Sequence, residues 1–194
     1  MTRRYLLPIL LVAAGCTNNT VVVVQQSSTV PVTATASTTE PSSGPDTVEF
    51  MVSGTAMMSA LQDGDTMVVD RSAYLSSAPM AGDVVVFDTV ESSGTRTLVK
   101  RVVGLPGDTL EYSSCQLFVN NQLVVEPYLD PTLVTSTTCG NDQPPITLPD
   151  NGYFVLGDNR GASKDSRDLG PVALSDIVGK VILVSTPGGE ERVP

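Results

Sequence analysis

Leu98-Val99-Lys100-Arg101-Val102-Val103-Gly104-Leu105-Pro106-Gly107-Asp108 is the stretch from which the rest of the chain is best read. Its first half is apolar and β-branched, the composition of a strand. Its second half, with two glycines, a proline and an aspartate, stops that strand in a turn. Alternate residues of a strand share a face, so Lys100 points with Leu98 and Val102 while Arg101 points the other way. A lysine on an apolar face loses solvation, which lowers its pKa. A neutral amine can then act as a general base without any histidine. The commoner fate of a strand lysine is to reach its ammonium out to water, and this stretch alone does not choose.

The same texture extends on both sides. Thr66–Asp70, Asp83–Phe87, Thr97–Val103, Gln116–Val125, Tyr153–Leu156 and Ile177–Val184 are short apolar runs broken by Gly, Pro, Asp and Asn, and each reads as a strand. Asn120–Asn121 inside one of them suggests a tight hairpin turn. Short helices are expected near Tyr74 and near Ala173–Asp176. Residues 48–194 therefore read as one mainly β domain.

Composition narrows the chemistry. The 194 residues are 41% hydrophobic, with 16 Gly and 14 Pro, which suits a turn-rich β globule. There is no histidine. That removes Ser-His-Asp and Cys-His nucleophile systems, HExxH metal sites and Cys/His zinc fingers at once. Eleven basic residues against 21 acidic ones, a net charge of −10, speak against a nucleic-acid partner. The acidity belongs to the domain, because only Glu40 and Asp46 lie before residue 48. Any catalysis must use hydroxyls, carboxylates, lysine or thiols, and no cofactor or metal is implied.

Ahead of the domain the chain changes character twice. Residues 1–15 read as an export signal, with Arg3 and Arg4 preceding a short apolar core. As a helix, Tyr5 to Gly15 would span about 16 Å, short of a hydrocarbon core of about 30 Å. The run Val12-Ala13-Ala14-Gly15-Cys16 resembles a bacterial lipoprotein signal, in which Cys16 would carry the lipid. Ala13 stands where that pattern prefers leucine, and an ordinary signal with an incidental cysteine is the alternative. Residues 16–47, rich in Ser, Thr, Val and Pro, read as a disordered tether, although Val21–Val24 would also serve as a short strand. The body of the protein is expected on the extracytoplasmic face of a membrane, held by lipid or by an uncleaved signal. Cys115 and Cys139 remain as an even pair, and in an exported domain they are expected to form a disulfide, two free thiols being the alternative.

Four segments carry the functional reading. Val52-Ser53-Gly54-Thr55-Ala56-Met57-Met58-Ser59-Ala60-Leu61 opens the domain and leads to Gly64-Asp65. Gly82-Asp83-Val84-Val85-Val86-Phe87 follows, then the Lys100 strand with its Gly-Leu-Pro-Gly-Asp turn. Gly157-Asp158-Asn159-Arg160, continued by Ser163, Asp165, Ser166 and Arg167, closes the series. In kind and in order these segments resemble the bacterial type I signal peptidases over roughly residues 48–187. The resemblance implies a mainly β signal peptidase fold and a Ser–Lys dyad that cuts exported preproteins after a small-x-small segment. It places the general base on Lys100. It implies that Ser163 and Asp165 orient and tune that lysine, that Asp158 and Arg167 are structural, and that Gly54, Met57 and the strand Asp83–Val86 line the substrate groove.

Three positions depart from the pattern: Ser59 and Ala60 stand for its proline and threonine, and Ala56 is the serious one. The family's first box reads V-x-G-x-S-M-x-P-T-L, and in that register the nucleophilic serine is replaced by Ala56. A methyl group cannot attack a carbonyl. Ser53 and Ser59 are each three residues away, about 10 Å along an extended chain. A natural loss of catalysis, an engineered Ser-to-Ala change, and a shifted nucleophile at Ser59 are three explanations that the sequence leaves open. The expected function is a signal peptidase-like serine endopeptidase domain with little or no activity. The alternative is a non-catalytic lipoprotein that keeps the peptide groove as a binding module.

Overall fold

The computed structural model describes residues 24–25, 45–135 and 137–194. The expected export signal and Cys16 lie outside them, as does most of the expected tether. Thirteen strands appear among the described residues: β1 (Val24–Gln25), β2 (Thr47–Met51), β3 (Thr66–Asp70), β4 (Val84–Glu91), β5 (Gly94–Gly104), β6 (Thr109–Ser113), β7 (Gln116–Val119), β8 (Gln122–Leu123), β9 (Gln143–Thr147), β10 (Gly152–Leu156), β11 (Val172–Ala173), β12 (Ile177–Ser185) and β13 (Glu191–Arg192). They form two antiparallel sheets, so the mainly β expectation holds. The larger has the order β1-β2-β3-β12-β4-β5-β10-β11, with β13 added to β12, and the smaller the order β8-β7-β6-β9.

Side-chain alternation explains most of these elements. In β3, Met67 and Val69 are buried while Thr66, Val68 and Asp70 are only partly covered. β4 and β5 are buried on both faces where they cross the middle of the sheet, which accounts for the continuous apolar runs around Val84–Phe87 and Leu98–Val103. One core cluster joins Phe50, Val52, Ala56, Met57 and Leu61 to Val84, Val86 and Val99. A second lies under the smaller sheet around Leu110, Tyr112, Leu117 and Phe154.

Turn chemistry follows the sequence in one place and departs from it in others. Asn120 and Asn121 both take positive φ (52° and 62°) between β7 and β8, as the tight turn requires. Ser114 and Cys115 do the same between β6 and β7 without the residue types that usually announce it. The helix expected near Tyr74 is instead a series of turns, held by Leu75 N–H donating to Ser72 O and by the Ser77 hydroxyl donating to Ala73 O. Leu174–Asp176 is a single 3₁₀ turn. The one α-helix among the described residues, α1 (Ser166–Leu169), was not expected, and it is set by Asp165 capping the Arg167 N–H. β9 carries Pro144 and Pro145, which hid it in the sequence. Both are tolerated because β9 is an edge strand paired only with β6. The expected tether contributes one strand, since Val24–Gln25 pairs with β2.

Cys115 and Cys139 are joined by a disulfide across a Cα–Cα distance of 5.2 Å and a sequence separation of 24. It ties the β6–β7 turn to the loop that crosses toward residue 160. Closing a loop of that length is worth about 3 kcal/mol through the entropy of the unfolded chain. Replacing both cysteines by serine should lower unfolding stability by about that amount in a urea titration at unchanged far-UV spectrum. An unchanged midpoint would show that the loop is closed by other contacts.

Candidate active site

Ala56 is delivered by the end of β2. The chain leaves the sheet at Val52 and returns at Asp65, and paired bonds pin the neck of this excursion: Val52 N–H donates to Asp65 O at 2.8 Å and Gly64 N–H to Val52 O at 2.9 Å. Gly54 N–H donates to the Asp63 carboxylate at 2.7 Å, and Gly54 itself takes φ 99°, which an L side chain would strain. Met57 and Leu61 turn into the core and hold the loop from beneath. Arg192 on β13 reaches back to it, donating to Ala60 O and pairing with Asp65.

Residues 157–160 press on this loop from the other side. Asn159 N–H donates to Ala56 O at 3.0 Å, and the Asn159 amide donates to Thr55 O at 3.2 Å. A Cβ on Gly157 would stand 2.6 Å from Ala56 O and collide with the Ser163 side chain, so only glycine fits there. Gly157 N–H donates to Asp165 at 3.0 Å. Around Gly157, then, the structure brings together Ala56, Ser163 and Asp165.

Lys100 on β5 is fully buried, and among the described residues its ammonium donates to one acceptor, Val99 O, at 2.8 Å. Burial pulls its pKa down from the ordinary lysine value to about 8, while the nearby charges of Asp165 and Asp158 hold it up. Neither carboxylate bonds it directly, because each is held by an arginine. Asp158 takes a two-pronged bond from Arg101, Nε to Oδ1 at 3.0 Å and Nη2 to Oδ2 at 2.8 Å. Even so, burial leaves the Asp158 carboxyl above its usual pKa. Asp165 takes two bonds from Arg167, both at 2.8 Å. The structural partners are thus Asp158 with Arg101 and Asp165 with Arg167, and Asp165 reaches Lys100 only through its field. Ser163 Oγ has no hydrogen-bond partner among the described residues, so the orienting bond expected from it to Lys100 is not made here.

The strand expected to line the groove, Asp83–Val86, leads into and begins β4 in the middle of the larger sheet. β4 is paired with β12 on one side and β5 on the other across Val85–Phe87, and Val84–Val86 are core. Asp83 is taken up by Tyr74, Met80 N–H and Lys180. Val85 and Val86 are thus paired on both sides, and their contribution to a groove would come from side chains rather than from a free strand edge. The free edge lies next door, because β5 pairs with β10 only from Arg101 on and its Gly94–Lys100 half is paired with β4 alone. Ser59 is exposed and donates its hydroxyl to Tyr128 O at 3.0 Å, away from the buried lysine.

Sequence reading missed the layer behind these groups. Arg160 is buried, paired with Glu126, and donates to Gly157 O at 3.1 Å. Arg101 lies under the Tyr128 ring at 4.2 Å. Cys139 O accepts from Arg167 at 3.0 Å, which links the disulfide loop to the Asp165 pair. No pattern in the sequence announced that Glu126 would meet Arg160, or Tyr128 meet Arg101, each about thirty residues away along the chain. A cleft of about 510 Å³ opens beside Asn159 and Gly161, lined on its far side by Thr132, Leu133 and Thr138, with no charged side chain among its described residues. Among the described residues no cluster of His, Cys, Asp and Glu could hold a metal ion.

Comparison with known proteins identifies the family. A family model described as signal peptidase, peptidase S26, matches residues 46–186. Signal peptidase I U of Bacillus subtilis is 35% identical over 148 residues, covering 74% of this chain and 78% of that protein. Signal peptidase IB of Staphylococcus aureus is 37% identical over 144 residues, covering 68% of this chain and 74% of that one. A crystal structure of a signal peptidase I from Enterococcus faecalis aligns at 28% identity and TM-score 0.43, covering 54% of this chain and 97% of that one. The chain belongs to the signal peptidase family, peptidase S26, a family of serine proteases.

The depressed pKa of Lys100 has a consequence for stability. In the unfolded chain this lysine keeps its proton up to about pH 10.4, whereas in the folded protein it loses it near pH 8. Between those values the unfolded state binds more protons, so stability rises with pH there. Below pH 8 the full cost of burying the charge, roughly 3 kcal/mol, is present. Lys100→Met should therefore be more stable than the parent at pH 7 and should lack the parent's rise between pH 8 and 10. Parallel stability-against-pH curves for the two proteins would refute the buried-amine assignment.

Proposed function

We propose that this chain is a signal peptidase I-type domain that recognises small-x-small cleavage segments of exported preproteins and has lost, or nearly lost, the power to cut them. The observation that carries the reading is Ala56. It sits in the loop that Gly54, Met57 and Leu61 hold in place, against the loop of Asp158, Ser163 and Asp165, and its methyl offers no nucleophile. Lys100 supports the same reading, being buried and free of any direct carboxylate bond.

With a hydroxyl on residue 56 the chemistry follows from the groups around it. The neutral Lys100 amine takes the hydroxyl proton as the oxygen attacks the peptide carbonyl, and the N–H of residue 56 donates to the oxyanion. The protonated amine returns its proton to the leaving nitrogen, and water then releases the acyl group from residue 56. Gly54 brings no side-chain donor to the oxyanion. The substrate's extended segment adds to the free Gly94–Lys100 edge of β5. Removing the nucleophile from a serine protease lowers turnover roughly a millionfold, so the parent chain is close to inert.

Residues 48–194 fold as the domain, the stretch from 16 to the start of β2 tethers it, and a lipid on Cys16 holds it at the extracytoplasmic face of the membrane. Among the described residues no helix is long and apolar enough to cross a membrane, and the lipid would supply the anchor. Cys16→Ser should move the protein into the soluble fraction on ultracentrifugation. Retention in the membrane pellet would assign the anchoring to an uncleaved signal instead.

The function itself is tested by Ala56→Ser, assayed with the parent against a peptide carrying a small-x-small site. Cleavage by the serine form alone is expected, with kcat/KM rising through about pH 8 as Lys100 loses its proton. Cleavage by the parent would sink the reading of lost catalysis and send attention to Ser59. If neither form cuts but both bind the peptide, the groove serves as a binding module.

A further inference from the structure

The β5 edge assigned to the peptide, Gly94–Lys100, ends at an ion cluster. Lys164 Nζ donates to one oxygen of the Glu91 carboxylate at 2.8 Å, and Arg96 Nη1 donates to the other at 3.3 Å. Glu91 stands opposite Gly94 in the β4–β5 ladder. Arg96 lies on β5 itself, and alternation gives it the same face as Leu98 and Lys100. Lys164 follows Ser163 in the loop after β10, and β10 borders β5 on the side away from β4. Its bond to Glu91 therefore brings the ammonium to the Gly94–Arg96 end of the open edge. We propose that Arg96 and Lys164 form a subsite for a carboxylate side chain of the bound peptide, four residues along from the peptide residue level with Lys100. This inference rests on the placing of the peptide on the β5 edge.

Charge balance is the first observation that carries it. Arg71, Arg101, Arg160, Arg167, Lys180 and Arg192 each pair with a carboxylate of their own. Arg96 and Lys164 share a single one, Glu91. Lys164, bonded to it, holds the Glu91 carboxyl below its ordinary pKa, so that carboxylate is ionised at neutral pH. The cluster still keeps a surplus positive charge, on a chain whose net charge is −10. A peptide carboxylate completes the set, with both cations then matched by an acid.

Unused donors are the second observation. Arg101, Arg160, Arg167 and Arg192 each make at least three side-chain hydrogen bonds. Among the described residues Arg96 and Lys164 make one each. A guanidinium and an ammonium both have further N–H donors, and a carboxylate is the acceptor that holds them most strongly. Accessibility is the third. The Arg96 and Lys164 side chains are 26% and 33% exposed, open enough for a ligand yet sheltered from full solvent screening. Position follows from strand geometry, since four residues of extended chain span about 13 Å. The general base feels the cluster too: burial dominates the low pKa of Lys100, and the Arg96 charge adds to it.

The test is isothermal titration of the full-length chain in detergent, as the parent and as a double variant, Arg96→Gln with Lys164→Gln. The ligands are small-x-small peptides carrying a single Glu or a single Gln. That residue stands four positions before or four positions after the cleavage site, to match the spacing of Arg96 and Lys100. Comparing the Glu and Gln peptides within one protein cancels any general damage to the groove. The parent is expected to bind the Glu peptide about fivefold tighter at one of the two positions, and less so as salt rises. The preference should vanish in the double variant and survive in the charge-keeping pair, Arg96→Lys with Lys164→Arg. Equal affinities at both positions overturn the subsite while the peptide edge stands. A preference that persists in the double variant overturns its assignment to Arg96 and Lys164. If no peptide binds the parent, the edge reading and the subsite fall together.

Discussion

Two buried carboxylates with two arginines already on them are the constraint around which the rest of this site is arranged. Asp158 is gripped by Arg101, and Asp165 by Arg167. Each pair is almost wholly out of water, where an unpaired charge would cost several kcal/mol. The consequence falls on Lys100. It lies in the field of both carboxylates but bonds to neither, and desolvation outweighs that field. An amine paired directly with a buried carboxylate would keep its proton well above neutrality. Committing the acids to arginine lets the lysine come close to neutrality at ordinary pH. The supporting layer extends further: Arg167 also donates to Cys139 O and Arg160 O, and Arg160 holds Glu126. A loop closed by a disulfide is thereby connected to the charge balance at the lysine.

Most of the fold was legible because its strands are short apolar runs bounded by turn residues. β3 matches its apolar run residue for residue, and β10 and β12 lie within a residue of theirs. What escaped was local or compensated. β9 hid behind two prolines that only an edge strand tolerates. α1 is a single turn created by one capping aspartate, too short to leave a period in the sequence. The turns after Arg71 contain good helix formers but close by side-chain bonds of Asp70, Ser72 and Ser77 instead.

The members of the candidate site were named from the resemblance, and Ala56, Ser163 and Asp165 do meet around Gly157, while their pairings were not legible. That Arg101 meets Asp158 depends on register across the β5–β10 junction, and that junction carries an irregularity between Phe154 and Val155. Sequence spacing cannot resolve such a shift. The expected groove role of Asp83–Val86 is hard to read from sequence for a related reason. A strand buried on both faces and a strand lining an apolar groove have the same composition, and only the pairing of its two edges tells them apart.

The state of Ser163 and Lys100 bears on why the chain has this architecture at all. A buried hydroxyl without a partner and an ammonium with a single carbonyl acceptor are both costly. A domain retained for its fold alone would be more stable with an apolar residue at each position, as Leu98 and Val99 beside them illustrate. Ser163 adjoins the Ala56 loop, since both would touch a Cβ on Gly157. The proposed reading, a Ser–Lys site without its serine, would account for both costs. Further erosion of a site without function would be expected to reach the lysine first, since it is the most expensive member to keep.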